Sequence, residues 1–243
     1  MPNLKKLLKW IGIAMLFGAT GQLVAAESYG KAENPLVAEV LGMEIRTKDV
    51  SIMQAVIGQK LLEKYTKQHK IEVLQKDIDL YVANLDAFIA KDRKRREAEI
   101  LEIQEKLKSG SLSDVEKENL LSSLKVLKSL QKIEVQEDKE KAMDPEGALK
   151  DKQTVAKTFV KQKLINKALY KQYGGRIIAQ QIGAEPYDAM HTFLKEEEKN
   201  GSFKILDKSF EAPFWKYYTD ESTHSFYKKG SKEEKEVLDK FFK

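Results

Sequence analysis

No cysteine occurs in the 243 residues. That absence excludes disulfides, thiolate nucleophiles, zinc–thiolate centres and an N-terminal lipid-modified cysteine together. It leaves the redox compartment open, because a compartment that permits disulfides does not require them. The familiar catalytic signatures are also missing. There is no Gly-x-Ser-x-Gly, and His69, His191 and His224 stand far apart without an HExxH pattern. Gly174-Gly175 lacks the Lys-Ser/Thr pair that a phosphate loop needs after it. Asp188 and His191 share a helix face three residues apart, and Glu196-Glu197-Glu198 form an acidic run. Both patterns read as solvated helix surface rather than as a site. No catalytic residue, metal site or cofactor is expected.

Long apolar runs are scarce, and the clearest is at the start. Lys5, Lys6 and Lys9 precede Trp10 to Gly18, an uncharged apolar stretch, and Val24-Ala25-Ala26 supplies small residues ahead of Glu27. This is the pattern of a cleavable secretory signal over residues 1–26, which implies export. The run is short of the roughly 20 residues that span a bilayer. Left uncleaved, it is an inner-membrane anchor.

Excess charge of one sign is lacking too. The chain has 43 basic and 38 acidic side chains. Taking away the three lysines of the leader leaves 40 against 38, so the basic pI is no nucleic-acid footprint, and no nucleic-acid partner is expected. One basic cluster stands out, Lys91, Arg93, Lys94, Arg95 and Arg96 in "KDRKRR". Within a helical pattern flanked by acids it reads first as a solvated face, and second as a weak contact to anionic lipid headgroups.

What the chain has in quantity is helical periodicity. Residues 27–35 form a linker. The stretch "LVAEVLGMEIRTKDV" (36–50) follows, with Val37 and Val40 in a β-compatible run, Gly42 at a turn and Ile45 in a returning strand. Thr47 is the expected cap of a helix starting at Lys48. Ile52, Met53, Val56, Ile57, Leu61, Leu62 and Tyr65 recur at steps of three and four, and Gly58 marks close packing or a break. Two long charged helices over about 76–142, joined by a Gly/Ser turn with Ser113 as N-cap, predict a protruding antiparallel hairpin. Its narrow apolar stripe also suits a homodimer. Asp144 to Gly147 closes it, and a further helix over 152–173 turns Val155, Phe159, Val160, Leu164, Ala168 and Leu169 inward. Ile177 to Gln180 is either a strand pairing with the Val37–Val40 run or another helical turn. Pro186 opens a helix to Lys199, and Ser231 with Glu234 has capping-box spacing.

The segment "FEAPFWKYYTDESTHSFY" concentrates aromatic side chains. Phe214, Trp215, Tyr217 and Tyr218 are the candidate client-binding residues, since aromatic rings give large contact areas at small entropic cost. Their helical spacing equally fits packing onto the core, the reading that aromatic stripes favour.

"VAEVLGMEIRTKDV" together with "IGQKLLEKYTKQHKIEVLQKDIDLYV" resembles the N-terminal domain of SurA-type periplasmic chaperones and their PpiC-like relatives. The likeness rests on Val37, Val40, Gly42, Ile45, Val50, Leu61, Leu62, Tyr65, Ile71, Val73, Ile78 and Val82. It covers about residues 36–90 and involves structural positions rather than a catalytic motif. It implies a periplasmic location, a mainly α fold with a small β element, a C-terminal part that returns to the N-terminal unit, and binding of unfolded or extended polypeptides without nucleotide. The parvulin isomerase domain common in that family has no counterpart in the charged hairpin, so isomerase activity is not carried over. The expected organisation is a 36–90 strand–turn–helix unit, a 91–147 hairpin arm and a 148–243 helical segment packing back. The expected role is an exported, non-enzymatic chaperone, with an adaptor docking one folded partner through the hairpin as the alternative.

Overall fold

The computed structural model describes residues 33–109, 112–180 and 183–242. The expected leader and residues 27–32 of the linker lie outside the described residues. Among the described residues the protein is mainly helical, with seven helices and a small antiparallel sheet.

The chain opens with β1 (Leu36–Val40) and β2 (Met43–Arg46), antiparallel across a two-residue turn. Leu41 and Gly42 both have positive φ, 50° and 79°. That is the backbone of a primed hairpin turn, whose twist matches the twist of its strands. Leu41 tolerates the left-handed conformation because its N–H donates to the Ser202 carbonyl at 2.7 Å. A bulge between Leu36 and Ala38 breaks the two-residue alternation, so Val37 and Ala38 are both fully buried. The other edge of β1 pairs with β5 (Phe203–Ile205), giving the order β2-β1-β5. The small N-terminal β element is therefore the centre of a sheet that the C-terminal part completes.

Helix α1 (Val50–Gln68) starts two residues later than Thr47 capping requires. Asp49 is the N-cap, its carboxylate accepting from the Ser51 N–H at 2.7 Å, while the buried Thr47 hydroxyl accepts from the Asp49 N–H. Aspartate competes well for that position because it also complements the helix dipole. Gly58 is buried within an unbroken helix. Met53, Val56, Ile57, Leu61, Leu62 and Tyr65 form the α1 side of the core.

Helices α2 (Gln75–Lys108) and α3 (Asp114–Met143) form the hairpin. Ser113 and Glu116 make a reciprocal capping box at the start of α3. Helix α4 (Pro145–Tyr173) begins at once after Asp144, not at residue 152, because proline suits the first helical position. Along α4, Ala156, Val160, Ile165 and Leu169 are buried, whereas Val155, expected inward, is exposed.

Beyond α4, β3 (Ile178–Gln180) is a strand, but its partner is β4 (Gly183–Glu185) rather than β1. Both edges of β1 are already occupied by β2 and β5. Helix α5 (Tyr187–Lys199) follows Pro186, then β5, α6 (Glu211–Thr219) and the short α7 (Lys232–Val237), capped by Ser231.

The chain divides into two compact units: residues up to Val73 with Thr158 onward, and Leu74–Lys157. The boundary expected at residue 90 falls inside α2. In the first unit, β1, β2, β5, α1, α5, α6 and the end of α4 share one apolar core. A partly buried ion pair reinforces it: Lys64 Nζ donates to Glu197 at 2.7 Å and to the Ser202 hydroxyl at 2.9 Å.

Candidate functional site

The four aromatic candidates lie together on α6, but they do not share a face. Phe214, Trp215 and Tyr218 are 3%, 6% and 5% exposed. Phe214 and Trp215 pack against Phe203, and Trp215 and Tyr218 meet the His191 ring on α5. Gln54 on α1 donates to the Phe214 carbonyl at 2.8 Å, tying α6 to the first helix. These three rings close the core and present no broad face to solvent.

Tyr217 points into a polar cluster instead. Its hydroxyl donates to Glu185 Oε2 at 2.8 Å, and Gln180 Nε2 lies 3.0 Å from both oxygens. The Tyr217 carbonyl accepts from the Tyr187 hydroxyl at 3.1 Å and from His224 Nε2 at 2.7 Å, which makes Nε2 the protonated nitrogen of that ring. Glu185 is half-buried as a residue, yet its carboxyl is enclosed. Burial raises its pKa above the ordinary glutamate value, against the opposing pull of the Tyr217 and Gln180 hydrogen bonds. The Tyr217 phenol is also pushed up, by burial and by the Glu185 charge.

A raised carboxyl pKa means that the folded state holds the proton more tightly than the unfolded chain. The Glu185 contribution to stability is therefore fully present below the unfolded glutamate pKa, about 4.3, and is lost as pH rises through the folded value. Glu185→Gln keeps the shape and an acceptor oxygen without the charge. Urea unfolding at pH 4 and pH 7 should show the variant gaining on the wild-type protein as pH rises. A stability difference that does not change with pH would mean that the carboxyl is solvated.

Arg176, which no sequence pattern singled out, organises the neighbouring surface. Its guanidinium donates to Asp188 through Nε and Nη2, both at 2.9 Å, and to Glu221 at 2.7 and 2.9 Å. It also lies 4.5 Å from the Phe226 ring. Asp188 is thereby engaged by Arg176, and its pKa is lowered through that contact against the penalty of burial. The His191 ring, expected on the same polar helix face, stacks on Tyr218 instead, and burial lowers its pKa. His69 stacks on Tyr65, and the three histidines are not brought together. The signal available in the sequence was Gly174-Gly175. Gly175 has φ of 91°, and a Cβ there would meet Asp188 at 2.4 Å, so the glycine permits the close approach that seats Arg176.

In the second unit, the basic cluster of α2 is largely engaged within the hairpin. Arg93 donates to both Asp138 oxygens at 2.7 and 3.1 Å, and Arg96 pairs with Glu134 and Asp92. Arg95 also pairs with Asp92. Numbers rising on α2 and falling on α3 make the pair antiparallel. Leu124, Leu127 and Leu130 of α3 are half-buried, and none of its residues is fully buried. Exposed apolar side chains accumulate on these helices: Leu80, Phe88 and Leu101 on α2, and Val115, Leu121, Val126, Ile133, Val135 and Met143 on α3. Phe88 is 66% exposed. Exposed apolar side chains are thus concentrated on the hairpin, whereas the aromatic segment is mostly interior.

Among the described residues, no helix is long and apolar enough to cross a membrane. Comparison of the chain with protein-family models, curated proteins and solved structures gives no match.

Proposed function

We propose that this protein is an exported, ATP-independent chaperone-like protein that holds unfolded or extended polypeptides in the periplasm. The observation that carries the reading is the hairpin: apolar side chains exposed among charged ones along two helices, with no fully buried residue on α3. Such a surface binds extended apolar segments weakly and with little sequence stringency, and the intervening charges keep it in solution. Neither step requires a nucleotide. The likeness of residues 36–90 to SurA-type chaperones supports the same reading, and so does the order of β1, β2 and α1, strand–turn–strand–helix. Client contact rests here on Phe88, Leu101 and their neighbours, with Tyr217 the most accessible of the four aromatic candidates.

A second reading, an adaptor for one folded partner, is favoured by a separate observation. Ion pairs from Arg93 and Arg96 to Glu134 and Asp138 join α2 to α3. That arrangement preorganises the hairpin, which suits a single complementary surface.

Fluorescence anisotropy with an unfolded outer-membrane-type polypeptide separates the two, using the same polypeptide natively folded as the control. The chaperone reading expects saturable binding to the unfolded chain in the micromolar range, about −8 kcal/mol. It further expects several-fold weakening by Phe88→Ser with Leu101→Ser. No saturation at tens of micromolar turns the assignment to the adaptor, and faster cis–trans exchange in a prolyl peptide turns it to an isomerase.

A further inference from the structure

The fifteen residues Asn119–Ile133 in the middle of α3 contain three lysines and no acid. At about 100° per residue, Lys117, Lys125, Lys128, Lys132 and Lys139 fall within an arc of about 80° on that helix. Leu121 and Val135 lie in the same arc, and its acid is Asp114, the first residue of the helix. The arc is set about a third of a turn away from the Leu124, Leu127 and Leu130 side that faces α2. From Lys117 to Lys139 it extends about 33 Å along the axis.

All five lysines are exposed, and none of their ammonium groups has a hydrogen-bond or ion-pair partner among the described residues. Elsewhere on the hairpin most cationic groups are paired: Arg93, Arg95, Arg96, Lys106, Lys108 and Lys141 each meet a carboxylate, while Lys76, Lys91 and Lys94 of α2 do not among the described residues. The structure neutralises most of the conspicuous "KDRKRR" run and leaves the inconspicuous lysines of α3 open.

We propose that this lysine arc is a docking face for an anionic lipid bilayer. A straight row of ammonium groups meets a flat anionic surface along its whole length. Each lysine near such a surface strengthens attachment about fivefold. Leu121 and Val135, both exposed, decide between polyanions. They gain from immersion at the boundary of headgroups and acyl chains, and gain nothing against the phosphates of a nucleic acid. Long-range steering points the same way. Leu74–Lys157 carries 17 basic and 18 acidic side chains, so this unit has no net field to draw a soluble polyanion, and the row acts at contact. The proposal goes beyond client binding and does not depend on it.

Vesicle flotation with the full chain tests it, comparing phosphatidylcholine alone with phosphatidylcholine carrying about 30% phosphatidylglycerol. Three proteins are compared: wild type, K125Q/K128Q/K132Q and K125R/K128R/K132R. The leader with its own lysines is common to all three, so differences among them report the arc. The glutamine variant is expected to lose about tenfold or more of its partition onto the anionic vesicles, and the arginine variant to retain it. In about 1 M salt the wild-type protein should fall towards the glutamine variant. These exposed substitutions leave the fold in place, which circular dichroism checks. Equal partition of wild type and glutamine variant overturns the proposal. Loss of retention on single-stranded RNA, with vesicle binding unchanged, assigns the arc to nucleic acid and overturns it as well.

Discussion

Leu61→Asp is expected to abolish cooperative unfolding of the unit built from β1, β2, β5, α1, α5 and α6. Leu61 is fully buried on the inner face of α1, in the cluster that also holds Val37, Ile45, Phe193 and Phe214. Replacing it removes an apolar side chain worth about 1.5–3 kcal/mol of burial. It also places a carboxyl group where an isolated charge costs several kcal/mol more, about 3–5 by comparison with broken buried pairs. Together, at about 5–8 kcal/mol, these match the whole stability of a domain in the lower half of the ordinary range, about 5–15 kcal/mol. Thermal melting followed by circular dichroism should lose its sharp transition. The solubility of the variant should fall as the core becomes exposed. A melt that matches the wild type would take Leu61 out of the core and, with it, the inward face assigned to α1.

That inward face was legible because it rests on local periodicity. Met53, Val56, Ile57, Leu61, Leu62 and Tyr65 recur at helical spacing, and a 19-residue amphipathic helix has few other ways to bury them. The hairpin was legible for the same reason, the Ser113 cap from a serine placed ahead of a periodic run, and the Ser231 cap from its spacing to Glu234. Strand partnership was not legible. Ile177 to Gln180 has strand composition, but whether it meets β1 or a following strand depends on which edges are free, a property of the assembled sheet. Here β5, only three residues long, takes the free edge of β1 and leaves β3 to pair with β4.

The polar groups behave similarly. Glu185 looks ordinary in sequence; its perturbation arises from burial in the folded chain, opposed by a hydrogen bond from Tyr217, 32 positions away. Arg176 meets Glu221 across 45 positions. Such pairings leave no periodic trace. The open lysine arc differs again. Its spacing is periodic, but the feature that distinguishes it is the absence of carboxylate partners among the described residues, which only the assembled hairpin reveals.

Trp215→Ala and Tyr218→Phe are expected to move stability in opposite directions, although they sit three residues apart on α6. Trp215 packs against Phe203 and Phe214, with ring centroids 6.4 and 4.9 Å away, and the Lys195 ammonium lies 3.5 Å from its ring centre. Truncation to alanine leaves a large void, which costs about 3–5 kcal/mol in comparable cores. Part of that loss is offset, because the indole N–H is buried without a hydrogen-bond partner and its removal relieves a desolvation penalty. A net loss of about 3 kcal/mol, read from urea unfolding, is the expected result.

The Tyr218 hydroxyl is sealed from solvent and likewise has no partner. Burial drives its pKa well above that of a free tyrosine, so it remains an uncharged group with nothing to bond. Phenylalanine keeps the ring stacked on His191 and discards only the unsatisfied oxygen. It should therefore be stabilising, by up to about 1–3 kcal/mol. The contrast distinguishes the two readings of the aromatic segment. A ring held for client contact can be truncated with little change in unfolding and a clear loss of binding, whereas a core ring behaves in the reverse manner. Urea unfolding and client anisotropy on the same two variants measure both quantities. A Trp215→Ala protein that melts like wild type and no longer binds client would return the segment to the client surface. The expected pair of opposite stability changes keeps α6 in the core and leaves the proposed client contact to the exposed side chains of the hairpin.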